Sequence, residues 1–453
     1  MSRGVPHVLV VAGEASGDLY GSLVMRAMAG RPRPEDEPVI TRREGTTDAG
    51  VRPVRFTGIG GPAMRAAGLR LLGDAGSIGV TGFLEVLASA RAIWSAYRAA
   101  RAILSSADRP DLVLLIDYPD FNLRLAKKAR AARVPVLYFV SPQVWAWRRG
   151  RVRQIASVVD RMLVILPFEE EIYRRAGVRV EFVGHPLLEL VHPSRSREQT
   201  LRPLGLDPGR PTVALLPGSR RNELSSHLHV MLGAGRRLQE EFRDLQFLLP
   251  IAPTLAADEV EGILRAEQRG AEGAGVARAD LDCRLVREGR YDAVAACDAA
   301  VAASGTATLE TALLGVPMVI VYRMNPLTFA VARLISDVPH VGMPNLISGG
   351  RIVPELVQGE CTPERIALEL RRILTDPGTA GEMRRALSGV RSRLGRPGAI
   401  ERVAAAAWDM IGGRVSEREA AGEDGDGRRG HGSGTGADTG PEHDRLRPGG
   451  GRA

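Results

Sequence analysis

The sequence predicts an α/β protein made of two Rossmann-like domains, each a doubly wound parallel sheet, facing one another across an interdomain cleft. Three observations carry this. Short apolar runs alternate with longer amphipathic stretches, the signature of right-handed βαβ units. The pattern breaks in a turn-rich stretch near His192–Arg210 and then restarts. With 453 residues and 44% hydrophobic content, the chain is long enough to bury two cores. The expected divisions are 1–195, with a polar insertion at 31–53, then 196–412, then a tail at 413–453.

In chain order, His7–Val11, Leu112–Ile116, Val136–Val140, Met162–Leu166 and Val180–Val183 read as strands. They are rich in Val, Ile and Leu, as strands buried on both faces are. Leu19–Ala29, Gly82–Ser105 and Asn122–Ala132 read as the helices between them. In the second half Thr212–Leu216, Gln246–Ile251, Ala299–Ala302 and Met318–Tyr322 are strand-like, with helices over Glu223–Phe242 and Thr306–Leu314. Arg31–Pro53, rich in Pro, Arg, Glu and Thr, reads as a surface insertion. From Gly413 onward, 12 glycines and dense mixed charge leave Val415 and Leu446 as the large apolar residues, so the tail is expected to be disordered.

Composition excludes several classes. No stretch approaches the roughly 18 apolar residues of a membrane span, and residues 1–30 lack the pattern of a signal peptide. A cytoplasmic protein is expected. Cys283, Cys297 and Cys361 are too far apart for a CxxC pair, and the histidines show no metal-ligand spacing, so no metal is expected. The net charge of +8 is uneven. Residues 1–200 carry 29 basic against 20 acidic side chains, whereas 201–412 carry 25 of each. A basic first half suits nucleic acid or an anionic membrane surface; without aromatic interleaving it does not favour nucleic acid.

Five strand-to-helix turns can carry chemistry. Ala12-Gly13-Glu14-Ala15-Ser16-Gly17-Asp18 exposes backbone N–H groups at a helix start, suited to an anion or sugar hydroxyls; equally, Ser16 caps the helix with Asp18 in its first turn. Thr57–Pro62 is a second turn of this kind. Asp117 and Asp120 follow Leu112–Ile116, where a doubly wound sheet presents its ligands. Asp117 can serve as a general base, and Asp120 as either a second carboxylate or a helix cap. Pro217-Gly218-Ser219-Arg220-Arg221 suits a diphosphate, or is a solvent-facing arginine pair. In Ala303-Ser304-Gly305-Thr306-Ala307-Thr308-Leu309-Glu310, small residues let a ligand approach the backbone. Glu310, one turn deeper, can accept hydrogen bonds from a ribose diol, since a buried glutamate there would otherwise need a partner. His185, in Val183-Gly184-His185-Pro186, is either structural or part of the cleft.

These segments resemble the lipid-A-disaccharide synthase family, sugar-nucleotide glycosyltransferases of the GT-B fold. The resemblance rests on eight stretches in colinear order: Ala12–Asp18, Asp117–Asn122, Ser141-Pro142-Gln143-Val144-Trp145-Ala146-Trp147-Arg148, Leu166–Glu169, Phe182–Pro186, Leu216–Arg220, Ser304–Glu310 and Met343–Leu346. It covers about residues 7 to 410 and does not extend to the 31–53 insertion or the tail.

The resemblance implies transfer of 2,3-diacylglucosamine from its UDP derivative to the 6-hydroxyl of 2,3-diacylglucosamine 1-phosphate, giving a β-1,6 disaccharide and UDP by inversion, without metal or cofactor. Asp117 would be the base. Arg220 with Ser304, Gly305 and Thr306 would hold the diphosphate and Glu310 the ribose. Glu14 and Ser16 would bind substrate; Asn345, Glu355 and Gln358 match positions around the donor, and Arg323 can add charge. Acylated substrates imply peripheral association with the cytoplasmic face of the inner membrane. Val80, Phe83, Leu84, Leu87 and Trp94, with Arg91, Arg98 and Arg101, form either an interfacial stripe or an ordinary core-facing helix. Two other readings remain. Another UDP-sugar enzyme, such as a peptidoglycan glycosyltransferase or a UDP-N-acetylglucosamine 2-epimerase, is opposed by the Ser141–Arg148 string. A non-catalytic basic module leaves Glu14, Asp117 and Glu310 unexplained.

Overall fold

The computed structural model describes residues 5–31, 52–74, 83–143, 150–252, 254–273, 281–325, 329 and 338–426. Two sheets organise them, and their strands pair in parallel. The first comprises β1 (His7–Ala12), β2 (Arg55–Gly60), β3 (Arg70–Asp74), β4 (Leu112–Ile116), β5 (Val136–Phe139), β6 (Arg161–Val164) and β7 (Val180–Phe182), in the order β3-β2-β1-β4-β5-β6-β7. The second comprises β8 (Thr212–Leu216), β9 (Gln246–Pro250), β10 (Cys283–Val286), β11 (Ala299–Ala303), β12 (Met318–Tyr322) and β13 (Glu355–Val357), in the order β10-β9-β8-β11-β12-β13. The winding reverses between β1 and β4 in one sheet and between β8 and β11 in the other. Outside the carboxyl ends of the strands, such a reversal opens a crevice.

Strand alternation sorts the core of the first sheet. Val8, Val10, Leu112 and Leu114 pack on one face with Leu23 and Val24 of the helix Ala15–Met28. Leu9, Val11, Val113 and Leu115 pack on the other with Ala96, Ala100 and Leu104 of the helix Phe83–Leu104. Both faces are covered, which is why β1 and β4 read as unbroken apolar runs.

The last helix, Ala399–Asp426, returns to the first sheet. Val403, Ala407 and Ile411 join the cluster of Val8 and Val10. Trp408 Nε1 donates to the Met28 carbonyl at 3.2 Å, and the Arg402 guanidinium donates twice to the Val183 carbonyl, at 2.9 and 2.8 Å. Glu189 accepts the backbone N–H groups of Gly398 and Ala399 at 2.6 and 2.7 Å, fixing the helix start. The helix continues past Gly413, where the sequence reads as structureless. Once nucleated, a helix is extended by Ala, Glu and Arg without a second nucleation. Residues from 427 onward and 32–51 of the insertion lie outside the described residues. The insertion leaves and returns at one place, since Arg31 N–H donates to the Arg26 carbonyl and Arg52 N–H to that of Ala29.

Three local readings are corrected or resolved. The helix of Asp120 starts at Pro119 rather than Asn122, with Tyr118 at the cap position, so Asp120 is not its cap; it sits in the first turn, ion-paired with Arg151. Proline at the first helical position explains the earlier start. Asp18 does lie in the first turn of its own helix, but its carboxylate caps a neighbour, the helix Pro62–Ala66. It accepts the N–H groups of Gly61, Ala63 and Met64 at 2.7, 2.9 and 3.0 Å. His185 is structural: its Nδ1 accepts the Leu187 N–H at 3.1 Å, and burial pushes its pKa down to about 3, keeping it neutral.

Close packing of β1 on β2 requires Gly58, whose φ is +156° and whose hypothetical Cβ would lie 1.7 Å from the Val10 carbonyl oxygen. Gly58→Ala is therefore expected to cost about 3 kcal/mol or more. Thermal unfolding checks this, and an unchanged midpoint contradicts it.

Candidate active site

The predicted residues fall at both reversals. Glu14 and Ser16 follow β1, Asp117 follows β4, Arg220 follows β8, and Ser304 to Glu310 follow β11.

At the first reversal the loops interlock. A Cβ at Gly13 would lie 2.3 Å from the Tyr118 ring, so glycine there lets the ring lie on the backbone after β1. The cap position of the helix Ala15–Met28 is Glu14, which makes no side-chain cap bond; Ser16 lies inside the first turn. The reading of Ser16 as the cap is thereby corrected. With no cap bond from the Glu14 side chain, the N–H groups at this helix start can meet a polar ligand. Asp117 and Tyr118 both adopt positive φ, 48° each, the left-handed conformation. Burial first, then the negative charge of Glu14, push the Asp117 carboxyl up to about 6.

Across from it stands the second sheet. Gly218 has φ +122°, and the Ser219 N–H donates to Glu223 Oε2 at 2.8 Å, shaping the loop after β8. Arg220 precedes the helix Arg221–Glu241 in extended conformation, with an exposed guanidinium 3.7 Å from Glu14 and 3.8 Å from Glu223. The Glu14–Arg220 pair joins the strand ends of the two sheets. Arg221 instead pairs with Glu259 at 3.1 Å, so the two arginines do not act as one.

After β11, the Ser304 hydroxyl donates to the Val341 carbonyl at 2.6 Å, leaving its oxygen to accept. Gly305 has φ +146°, and a Cβ there would meet no atom within 4 Å. Open space therefore lies over the helix Thr306–Leu313 at its start. Glu310 does have a partner: its Oε1 accepts from Arg290 Nη2 at 2.5 Å and from the Tyr291 hydroxyl at 3.0 Å. The reasoning that disfavoured a paired, buried glutamate is thus corrected. Its charge reaches the first half as well, since burial and then Glu310 hold the Tyr20 hydroxyl above its ordinary pKa.

The remaining residues build the loops. Asn345 is fully buried and satisfied: Nδ2 donates to the Val353 carbonyl at 3.0 Å and to Glu355 at 2.7 Å, while Oδ1 accepts from Ile352 and Val353 at 2.8 and 3.0 Å. Glu355 also accepts the N–H groups of Val341 and Gly342 at 3.0 and 2.9 Å. Gln358 brackets Met324, accepting its N–H at 3.0 Å and donating to its carbonyl at 3.2 Å. Next to it, Arg323 is exposed. The sequence reading missed His227, buried on the helix Arg221–Glu241. Nδ1 lies 3.1 Å from the Pro217 carbonyl and Nε2 accepts the Arg323 N–H at 3.0 Å, tying the loops after β8 and β12 together. A histidine among apolar helix positions was its only signal.

Of the Ser141–Arg148 string, Ser141 to Gln143 are described, while Val144–Arg148 lies outside the described residues, as do Val80 and the side chains of Phe83, Leu84, Leu87 and Arg91. Trp94 is 61% exposed, with the Arg98 guanidinium 4.9 Å over its ring. Among the described residues no three His, Cys, Asp or Glu side chains converge as metal ligands, and no helix is long and apolar enough to cross a membrane. Asn345→Leu leaves two N–H groups, a carbonyl and Glu355 short of a partner, and is expected to cost about 3 kcal/mol. Denaturant unfolding at fixed pH checks this; a loss below about 1 kcal/mol contradicts it.

Comparison with known proteins follows this geometry. Residues 8–398 match the family model of lipid-A-disaccharide synthetase. The lipid-A-disaccharide synthase of Syntrophus aciditrophicus is 47% identical over 89% of this chain and 97% of its own length. That of Geobacter sulfurreducens is 43% identical over 92% of this chain and 100% of its own. Among solved structures, the calicheamicin glycosyltransferase CalG4 superposes with a TM-score of 0.53 at 17% identity, covering 91% of this chain and all of its own. S. aureus MnaA, solved with UDP, superposes with a TM-score of 0.54 at 10% identity, covering 88% and 95%. At these identities the structural likeness is one of fold.

Proposed function

The chain belongs to the lipid-A-disaccharide synthetase family, and from that premise we propose that it moves 2,3-diacylglucosamine from its UDP derivative to the 6-hydroxyl of 2,3-diacylglucosamine 1-phosphate. The family is one of glycosyltransferases making the lipid A disaccharide. In the proposed step the acceptor O6 attacks the anomeric carbon as its proton passes to the Asp117 carboxylate. The bond to the diphosphate breaks, its electron pair leaves with UDP, and the α-linked donor gives a β-linked product by inversion.

One observation carries the assignment of roles. The Glu14–Arg220 pair at 3.7 Å brings the cation after β8 to the loop beside Asp117. A diphosphate held by Arg220, Ser304, Gly305 and the N–H groups at Thr306 would then lie next to the base, with Glu310 toward the ribose. Glu14 and Ser16 face the acceptor side, while Asn345, Glu355 and Gln358 support the donor loops. In this reading 1–195 binds the acceptor at the membrane and 196–412 the donor. The acyl chains call for peripheral contact with the cytoplasmic face of the inner membrane. Exposed Trp94, Arg98 and Arg101 and the basic excess of residues 1–200 support that contact.

Activity requires ionised Asp117, so kcat is expected to rise with pH through about 6 and level off above it. Asp117→Asn should lower kcat by about 10³-fold with UDP affinity unchanged; near wild-type turnover removes Asp117 as the base. The same variant tests linkage. Because folding raises this carboxyl from 3.8 to about 6, its ionised form destabilises the fold above pH 6 and has no such effect below 3.8. Asp117→Asn should therefore stabilise the protein by about 2–3 kcal/mol at pH 8 and by much less at pH 4. Glu310→Gln should weaken UDP about tenfold while leaving 2′,3′-dideoxy-UDP unaffected, and equal losses for both refute the ribose role. Release of UDP only when both acylated glucosamine substrates are present tests the activity itself.

A further inference from the structure

Asp117 and Tyr118 form two successive left-handed residues, neither of them glycine, and Tyr118 is a bulky side chain that rarely adopts this conformation. The surroundings must hold them there. The Asp117 N–H donates to the Phe139 carbonyl at 3.1 Å. Its carbonyl accepts two side-chain bonds, from the Tyr138 hydroxyl at 2.5 Å and from Asn122 Nδ2 at 2.7 Å. Asn122 Nδ2 also reaches the Ile116 carbonyl at 3.3 Å, and its backbone N–H donates to Tyr118 O at 3.0 Å. One residue thus touches the carbonyls of Ile116, Asp117 and Tyr118 in succession. The Tyr118 ring is pinned between Gly13 and Phe121, whose ring stacks at 5.4 Å and 25°.

Asn122 does this at a cost. It is fully buried, and its Oδ1 has no hydrogen-bond partner among the described residues. An apolar residue would remove that orphan acceptor but would also take away one of the two side-chain donors to the Asp117 carbonyl. Tyr138 likewise keeps a hydroxyl in the interior, on β5 directly beside β4, where Leu115 and Tyr138 pair in register. The Tyr138 hydroxyl is satisfied by the Asp117 carbonyl, but an orphaned buried acceptor such as Asn122 Oδ1 is a feature that gathers at functional sites.

We infer that Asn122 and Tyr138 are positioning residues: they grip the Asp117 carbonyl from two sides and so aim its carboxylate at the acceptor hydroxyl while keeping it out of water. The inference rests on the reading of Asp117 as base. The charge of Glu14 after β1 raises that carboxyl and the Tyr118 backbone N–H lowers it, while its own charge acts on Tyr20 of the helix Ala15–Met28 and on Tyr138 of β5, where Arg151 and Tyr173 also act. Burial holds the hydroxyls of Tyr20, Tyr138 and Tyr173 above their ordinary range, so none of them titrates near the carboxyl.

The test is a series on the full chain: Tyr138→Phe, Asn122→Ala, the double variant, and Asp117→Asn. Each is assayed for kcat, KM of both substrates, UDP affinity, thermal midpoint and the pH dependence of kcat. Tyr138→Phe removes a single oxygen and is the least disruptive; Asn122→Ala reaches the same carbonyl independently if that variant fails to fold. Each single variant should lose about tenfold in kcat, with KM and UDP affinity within about twofold. The acid limb should move below its wild-type position, because a released carboxylate reaches water. The double variant should lose more than the product of the singles, since only then does the carbonyl lose both donors. An unchanged kcat overturns the inference. So does a lowered thermal midpoint with the acid limb unmoved, which would mark the pair as a turn brace only. Wild-type turnover in Asp117→Asn would instead bring down the base reading, and this inference with it.

Discussion

The site depends on a carboxyl held where ionisation is unfavourable. Asp117 sits at the carboxyl end of β4, half-withdrawn from water and beside the charge of Glu14, with its pKa pushed up to about 6. For the proposed base the value suits: a base that is too acidic is too weak, one that is too basic stays protonated, and this one lies just below neutral pH. It is reached by burial and a like charge, both of which cost stability. The strained turn at Asp117 and Tyr118 and the unpartnered oxygen of Asn122 belong to the same local cost. The fully buried strands on either side supply the rigidity that sustains it.

The second sheet does the complementary work with few charges. Its balanced composition gives no broad field, and its exposed cation at the reversal, Arg220, is already in contact with Glu14. A diphosphate competing for Arg220 would leave the Glu14 charge less compensated near Asp117, which would favour a stronger base when donor is bound. The buried residues Asn345 and Glu355 act one layer back, where their hydrogen bonds shape the Val341–Gly342 segment that accepts the Ser304 hydroxyl. The returning helix closes the arrangement on the far side by tying residues near 400 to Val183 and Met28.

Much of this was legible in the sequence, and the reason is physical. Leu112–Ile116, Thr212–Leu216 and Met318–Tyr322 match their strands end to end because central parallel strands are apolar on both faces. The loops after β1, β8 and β11 were legible because glycine and small residues gather at their strand-to-helix turns, and the loop after β4 because a carboxylate directly follows an apolar run. Thr57–Gly60, read as a turn, instead lie in β2, where Gly58 serves strand packing. The edge strands β3, β10 and β13 were not: β3 begins at Arg70 and ends at Asp74, β10 carries Arg284 among its four residues, and β13 has three residues. Nor were the Glu310–Arg290 pair and the His227 bridge, because each joins elements far apart in the chain. His227 and Arg323 are 96 residues apart, and no local pattern records such a meeting.

The most direct test of the account is the anomeric configuration of the product, read by NMR coupling from a reaction of UDP-2,3-diacylglucosamine with 2,3-diacylglucosamine 1-phosphate. The account predicts a β-1,6-linked disaccharide formed one for one with UDP, as a single displacement driven by one base requires. An α-linked product, or UDP released without a disaccharide, would contradict it.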